Sequence, residues 1–178
     1  MQVLENVSLR QYNSFGMNVQ ARWLGRFAHL QALQELLHHP VAAATKKLIL
    51  GGGSNMLFTG NFDGLVLKNE VPGIQVLEET AQHVYLRVGA GENWHAFTSF
   101  CVNKGWGGVE NLSLIPGNVG AAPIQNIGAY GVELKDVVHQ VEAYHLQDRA
   151  LVHFSNSDCA FGYRNSVFKQ KYLSLIHI

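Results

Sequence analysis

The sequence predicts an α+β protein made of two small α/β subdomains, and three observations carry that expectation. Short apolar runs, alternating or continuous over about four to eight residues, recur along the chain as strands do. Two segments instead space their apolar residues as a helix would, and they lie among the strands. A Val71-Pro72-Gly73 turn signal separates the first group of elements from the second. A chain of 178 residues can bury a core in one large domain or in two small ones.

In order along the chain, "NVQARWLGRF" places Val19, Ala21 and Trp23 on one face and reads as a strand. "AHLQALQELLHH" sets Leu30, Leu33, Leu36 and Leu37 at helical spacing. Strands follow at Lys47 to Leu50 and Gly64 to Lys68, which makes residues 1–70 a β-α-β-β unit. Beyond the turn, "GIQVLEE" and "HVYLRVGAG" form a strand pair. A helix then begins at the capping residue Asn93 and stops at Gly105, burying Trp94, Phe97 and Cys101 on one face. "IPGNVGAAPIQNIGAYGVEL" is a long run of small residues and short turns, longer than a plain connector needs. "VVHQVEAYHLQDRALVHF" reads as a hairpin about Gln147-Asp148, and Ser155 to Asp158 form a turn into "CAFGYRNSVF". The second subdomain is placed at 71–172.

Thirteen basic residues balance thirteen acidic ones, so no broad field exists for nucleic acid or an anionic membrane, and a small specific ligand is expected. Cys101 and Cys159 match no metal or redox spacing and read as buried apolar residues of a reduced compartment. No apolar run is long enough to span a bilayer, no secretory signal opens the chain, and a cytoplasmic location is expected. His139, His145 and His153 could share a sheet face, but no metal-ligand spacing accompanies them, and no metal is expected. Gly-x-Ser-x-Gly is missing, and Trp94 and Trp106 read as core.

The 18 glycines cluster, and the clusters suggest where backbone approaches a ligand. In "LILGGGSNMLF" a strand enters Gly51-Gly52-Gly53, followed by Ser54 and Asn55. Consecutive amides in such a loop form a nest for an anion, with two side-chain donors beside them. The dinucleotide fingerprint would need glycine at Met56 and a helix directly after it, and the Walker ending is absent. An ordinary tight turn is the alternative reading. Downstream, Gly117, Gly120, Gly128 and Gly131 recur amid Ala121, Ala122, Pro123, Ile124 and Ile127, a flat surface for a ring whose polar edge Gln125 and Asn126 could meet.

Four segments, "GGGSNMLF", "VGAGENWH", "GVENLSLIPGNVGAAPIQNIGAYGVEL" and "CAFGYRNSVFK", in this order and spacing resemble the UDP-N-acetylenolpyruvoylglucosamine reductases, flavoenzymes of bacterial peptidoglycan precursor synthesis. The similarity runs over residues 13–172. It implies a FAD-binding fold of the vanillyl-alcohol-oxidase (PCMH) type, with non-covalent FAD between two α/β subdomains. Carried onto this chain, Gly51, Gly52, Gly53, Ser54 and Asn55 would hold the pyrophosphate. Ile115, Gly117, Gly120, Ile124, Ile127 and Gly128 would line the flavin and its linker. The resemblance further implies NADPH as hydride donor, a sugar-nucleotide substrate, a monomer, and Arg164 as the catalytic cation beside the substrate carboxylate. Tyr163 would touch substrate or pack with a polar tip, and packing is the expectation. A surface ion pair is the alternative for Arg164.

The resemblance also implies a substrate domain, with a protonating serine and a partner glutamate, that has no counterpart in this chain. "FKQKY" fits the family, whereas "LSLIHI" stands where the family has a strand. Residues 173–178 are expected to be a non-native tail, since CTG TCT CTT ATA CAC ATC encodes them and resembles a transposon-end sequencing adapter. On that reading the fragment alone lacks activity. A different FAD-linked oxidase of the same superfamily and a non-catalytic flavin-binding module are the other readings, and the "YRNS" arginine favours the reductase.

Overall fold

A computed structural model describes residues 2–171 and 175–178, so Leu173 and Ser174 of the expected tail lie outside the described residues. The chain forms two compact units, one ending at Pro72 and the other beginning at Gly73.

The first unit contains β1 (Val3–Ser8), β2 (Gln20–Phe27), α1 (Leu30–His38), α2 (Pro40–Ala44), β3 (Lys46–Leu50) and β4 (Phe62–Asn69). They build one sheet in the order β1-β2-β4-β3. β1 runs antiparallel to β2, whereas β2 and β3 flank β4 in parallel. Parallel strands covered on both faces need continuous apolar sequence, and the central β4 buries Leu65, Val66 and Leu67 in succession. Leu9, Val19, Ala21, Leu24, Leu50, Phe58 and Val66 pack on one side. Leu33 and Leu36 of α1 are wholly buried, and Leu36 lies where a side chain on Gly25 of β2 would stand. His29 caps α1 by accepting from the Ala32 amide at 3.1 Å, and Pro40 opens α2.

Three features here depart from the sequence reading. β1 is an added strand; its mostly exposed residues leave little apolar signal in "VLENVS". α2 is an added short helix. Trp23 does not share the core cluster of Val19 and Ala21, because a register shift between Ala21 and Trp23 hands that face to Leu24. The Trp23 ring instead lies under the Arg22 guanidinium, 4.1 Å from it.

The second unit opens with the antiparallel pair β5 (Ile74–Glu79) and β6 (Val84–Val88), then α3 (Trp94–Asn103). Asn93 caps α3 by accepting from the Ala96 amide at 2.9 Å, and Gly105 ends it at φ +73°. The buried side chains of Trp94, Phe97 and Cys101 join Leu112, Ala122, Ile127 and Leu134 in one cluster. The indole N–H of Trp94 donates to the Leu112 carbonyl at 2.8 Å. The small-residue stretch carries a 3-10 helix at Val119–Gln125, then the short hairpin of β7 (Gly128–Ala129) and β8 (Val132–Glu133). β9 (Gln140–His145) and β10 (Ala150–Ser155) form the expected hairpin, and α4 (Val167–Gln170) follows.

Leu175–His177 forms β11, antiparallel to β9, so part of the segment read as displacing a strand itself pairs as one. Ile176 and His177 are buried there, and the His177 ring meets Phe168 edge-on at 4.6 Å. No helix among the described residues is long and apolar enough to cross a membrane.

Replacing Leu24 by Ala should cost the first unit about 2–5 kcal/mol, because its site is sealed within the sheet core. Urea unfolding monitored on that unit checks this. Burial holds the His177 imidazole below its ordinary value of 6.5, opposed by its hydrogen bond to the Gly120 carbonyl. A depressed histidine stabilises while neutral, so its contribution is complete above pH 6.5 and is lost as pH falls through the folded value. Exchange of the Ala90 and Ile178 amides, which bond to Ile178 and Glu142, should therefore quicken on acidification; rates that follow only intrinsic chemistry would contradict this.

Candidate functional site

β3 delivers its carboxyl end into the triple-glycine loop, the end of a parallel strand at which ligands commonly bind. Gly53 is buried and takes φ +67°. A Cβ on it would overlap the Tyr12 carbonyl oxygen and stand 2.9 Å from the Tyr12 carbonyl carbon. The protein's own backbone thus already requires glycine at 53. The opposing loop is braced by Asn13, whose buried amide donates to the Leu9 carbonyl at 2.8 Å and the Met17 carbonyl at 3.1 Å. Its oxygen accepts from the Met17 amide at 2.9 Å. Ser14 N–H donates to the Gly53 carbonyl at 3.2 Å.

Among the described residues, the amides of Gly52, Gly53, Ser54 and Asn55 donate to no backbone carbonyl. Four successive donors in a loop held by its carbonyl and its α-carbon make a nest of the kind that takes an anion. No helix follows before β4, so a helix dipole contributes nothing there.

In the second unit Gly117 takes φ +118°, and its carbonyl accepts from Trp94 N–H at 3.0 Å. Gly120 donates to the Ala90 carbonyl at 3.0 Å, and a Cβ there would reach 2.5 Å from that of Ala90. Ile127 is buried in the α3 cluster and Ile115 packs against it, whereas Ile124 is partly exposed. Asn126 does not offer its amide to a ligand edge as expected. It is fully buried at φ +43°, and its carboxamide bonds to Glu133, Gly162 and Lys135.

Gly128, Tyr163 and Arg164 line one open pocket of about 560 Å³, together with Tyr130, Glu133 and Lys135. Arg164 is exposed at φ +50°, and its Nη2 donates to the Gly128 carbonyl at 3.2 Å. No carboxylate pairs with it among the described residues, which removes the surface ion-pair alternative. Tyr163 does not pack: it is 87% exposed at the pocket rim, and Tyr130 stands out similarly at 88%. Lys135 pairs with Glu133 at 2.6 Å, holding that carboxyl below the usual range while its own ammonium is raised by Glu133. Asp136 accepts from the Glu133 amide at 2.8 Å. Among the described residues, Arg164 is thus the pocket cation that makes no ion pair. Sequence reasoning missed Tyr130, Glu133 and Lys135; the "GAYGVELK" run shows no periodicity that would place them around one cavity.

Other candidates separate. His153 stands opposite Glu142 and His145 opposite Ala150, which puts the two histidines on opposite sheet faces and ends the shared-face reading. His95 lies 3.0 Å from the Ser113 hydroxyl and accepts from the Leu114 amide, a local brace. Glu110 accepts from the Gly108 amide at 2.5 Å and is held below the usual carboxyl range by its own and neighbouring backbone amides. Burial, and then the Asp158 charge, push the Cys159 thiol up to about 11, so it is no thiolate nucleophile at neutral pH.

A family model described as FAD binding domain matches residues 25–154, and the chain belongs to that family. Among curated relatives, the UDP-N-acetylenolpyruvoylglucosamine reductases of Amoebophilus asiaticus and Dechloromonas aromatica are each 46% identical to it. The matches take in 95% and 93% of this chain. The chain spans about half the length of these relatives, 50% and 48%. The crystal structure of the Thermus caldophilus UDP-N-acetylenolpyruvylglucosamine reductase aligns with a TM-score of 0.77 at 25% identity, covering 99% of this chain and 60% of that one. A 6-hydroxy-D-nicotine oxidase from Arthrobacter nicotinovorans shares the fold at a TM-score of 0.65 and 15% identity, over 88% of this chain and 36% of its own. The α+β flavin-binding fold expected from the resemblance is thus the fold of this chain. The residues present fit the cofactor, since the uncommitted amides around Gly53 are the donor set that a diphosphate requires.

Gly53→Ala should destabilise the first unit by at least about 1–2 kcal/mol, the cost of a left-handed non-glycine residue, with the Tyr12 overlap added. Chemical denaturation would read the loss. Unchanged stability would show that the Tyr12 approach is not binding on the fold.

Proposed function

We propose that this chain is the flavin-binding part of an NADPH-dependent reductase that converts UDP-N-acetylglucosamine enolpyruvate to UDP-N-acetylmuramate for peptidoglycan synthesis in the cytoplasm. The observation that carries the reading is Arg164, an exposed cation without a carboxylate partner at a pocket wall, within a chain 46% identical to such reductases. When bound, FAD supplies the hydride relay from NADPH to the terminal vinyl carbon of the substrate.

The chain's own residues do the rest by binding and charge. Gly51, Gly52, Gly53, Ser54 and Asn55 hold the diphosphate with backbone and side-chain donors, which demands no lysine or arginine in the loop. Ile115, Gly117, Gly120, Ile124, Ile127 and Gly128 supply the small and apolar surface for the ring and its linker. Hydride addition next to a carboxylate builds negative charge on the carboxylate oxygens, and a guanidinium fixed beside them stabilises that charge more in the transition state than in the ground state. Arg164 suits this because it stays charged at any working pH and can fork onto both oxygens. The pocket's other charges are already occupied: Lys135 by Glu133, and Asp136 by the Glu133 amide. Tyr163 stands at the same rim and contacts the substrate from there. The protein works as a monomer on small molecules.

In the full-length enzyme that contains this chain, Arg164→Ala should leave FAD affinity within about threefold and slow reoxidation of reduced flavin by the enolpyruvyl substrate by about 10²–10³-fold. Anaerobic stopped-flow after bleaching with NADPH measures both. Reoxidation at the original rate would remove Arg164 from the chemistry, and failure of NADPH to bleach the flavin would remove NADPH as donor.

A further inference from the structure

Arg164 sits at φ +50° in an exposed turn, yet it is the cation on which the proposed chemistry depends, so something must hold that turn. A long exposed side chain with one hydrogen bond of its own, to the Gly128 carbonyl, is poorly fixed by that bond alone. Gly162 and Asn165 close the turn on each other through a pair of backbone hydrogen bonds at 3.0 and 3.1 Å, which shapes it but anchors it to nothing. The anchor is the buried Asn126 side chain. Its Nδ2 donates to the Gly162 carbonyl at 3.1 Å and to Glu133 Oε2 at 3.1 Å, while its Oδ1 accepts from the Lys135 amide at 3.0 Å.

One carboxamide thus joins three places: the base of the arginine turn, the second strand of the Gly128–Glu133 hairpin, and the start of the turn after it. The hairpin carries at Gly128 the carbonyl that receives the guanidinium. Ser166 adds a second tie further along, donating to the Ile124 carbonyl at 2.7 Å. Asparagine fits the position doubly. It tolerates the left-handed backbone, and it offers donors and an acceptor from one short side chain. Aspartate would keep the acceptor and lose both donors.

We propose that Asn126 is the positioning residue for Arg164, its buried carboxamide clipping the Gly162–Asn165 turn to the Gly128–Glu133 hairpin and so setting where the guanidinium stands. This rests on the reading of Arg164 given above.

The test uses Asn126→Gly, which keeps the left-handed backbone free of strain while removing the clip, with Asn126→Asp as the second variant should the first fail to fold. Hydrogen exchange is followed on the whole chain without flavin or substrate. Guanidinium signals of ¹⁵N-arginine-labelled protein are recorded alongside. The Gly162 and Asn165 amides, whose own partners are untouched by the substitution, are expected to exchange at least about tenfold faster, with the β9–β10 amides unchanged. The Arg164 guanidinium signal is expected to average toward that of a free side chain. Wild-type exchange at the turn, equal acceleration across the second unit, or an unmoved Arg164 signal would each overturn the proposal. A wrong reading of Arg164 itself appears elsewhere, as unaltered flavin reoxidation in Arg164→Ala, so the two failures are told apart.

Discussion

The first unit is organised by the close approach of two backbones. The Tyr12 carbonyl occupies the space a side chain at residue 53 would need, so the triple-glycine loop can seat itself only if that position is bare. Once seated, the loop is held by its own carbonyl through Ser14, and among the described residues its amides from Gly52 to Asn55 donate to no backbone carbonyl. The brace at Asn13 makes the arrangement rigid, because three hydrogen bonds from one buried side chain fix the opposing loop. Donors that need not reorganise bind charge at lower cost than donors that must first be gathered.

The second unit meets a similar demand with side chains. Its pocket holds two cations and two carboxylates, and local pairing neutralises Lys135 and satisfies Asp136 while leaving Arg164 available. The Lys135–Glu133 pair is partly exposed and contributes little to stability. Its value is that it sorts the charges. A chain with thirteen basic and thirteen acidic residues has no long-range field to draw an anion in, so recognition has to come from placement of a few groups. The buried Asn126 network serves placement in the same sense as Asn13; Asn13 was bland in sequence, and Asn126 was read there as facing a ligand.

Much of the architecture was legible because local chemistry decided it. The α3 start at Asn93 and its stop at Gly105 follow from a capping side chain and a left-handed residue, both readable by type and spacing. The β9–β10 hairpin followed from alternation about a polar turn. β1 was missed because its exposed residues carry no apolar period, and Trp23 was misplaced because a bulge reverses the facing of every residue beyond it. Val119–Gln125 read as loop because a 3-10 turn of small residues has no hydrophobic stripe to announce it. The His145 and His153 pairing failed for a related reason, since facing across a hairpin depends on register.

By itself the sequence determined the α+β class, the glycine loop at the end of a strand, and the motif residues that resemble a flavoenzyme family. Those properties depend on residue type and spacing along a few turns of chain. The tertiary structure alone decided that Gly53 answers to Tyr12, that Asn126 turns inward instead of toward a ligand, and that Tyr130, Glu133 and Lys135 gather beside Arg164. Contacts between residues tens of positions apart are set by how strands and turns stack, and no local pattern encodes that stacking.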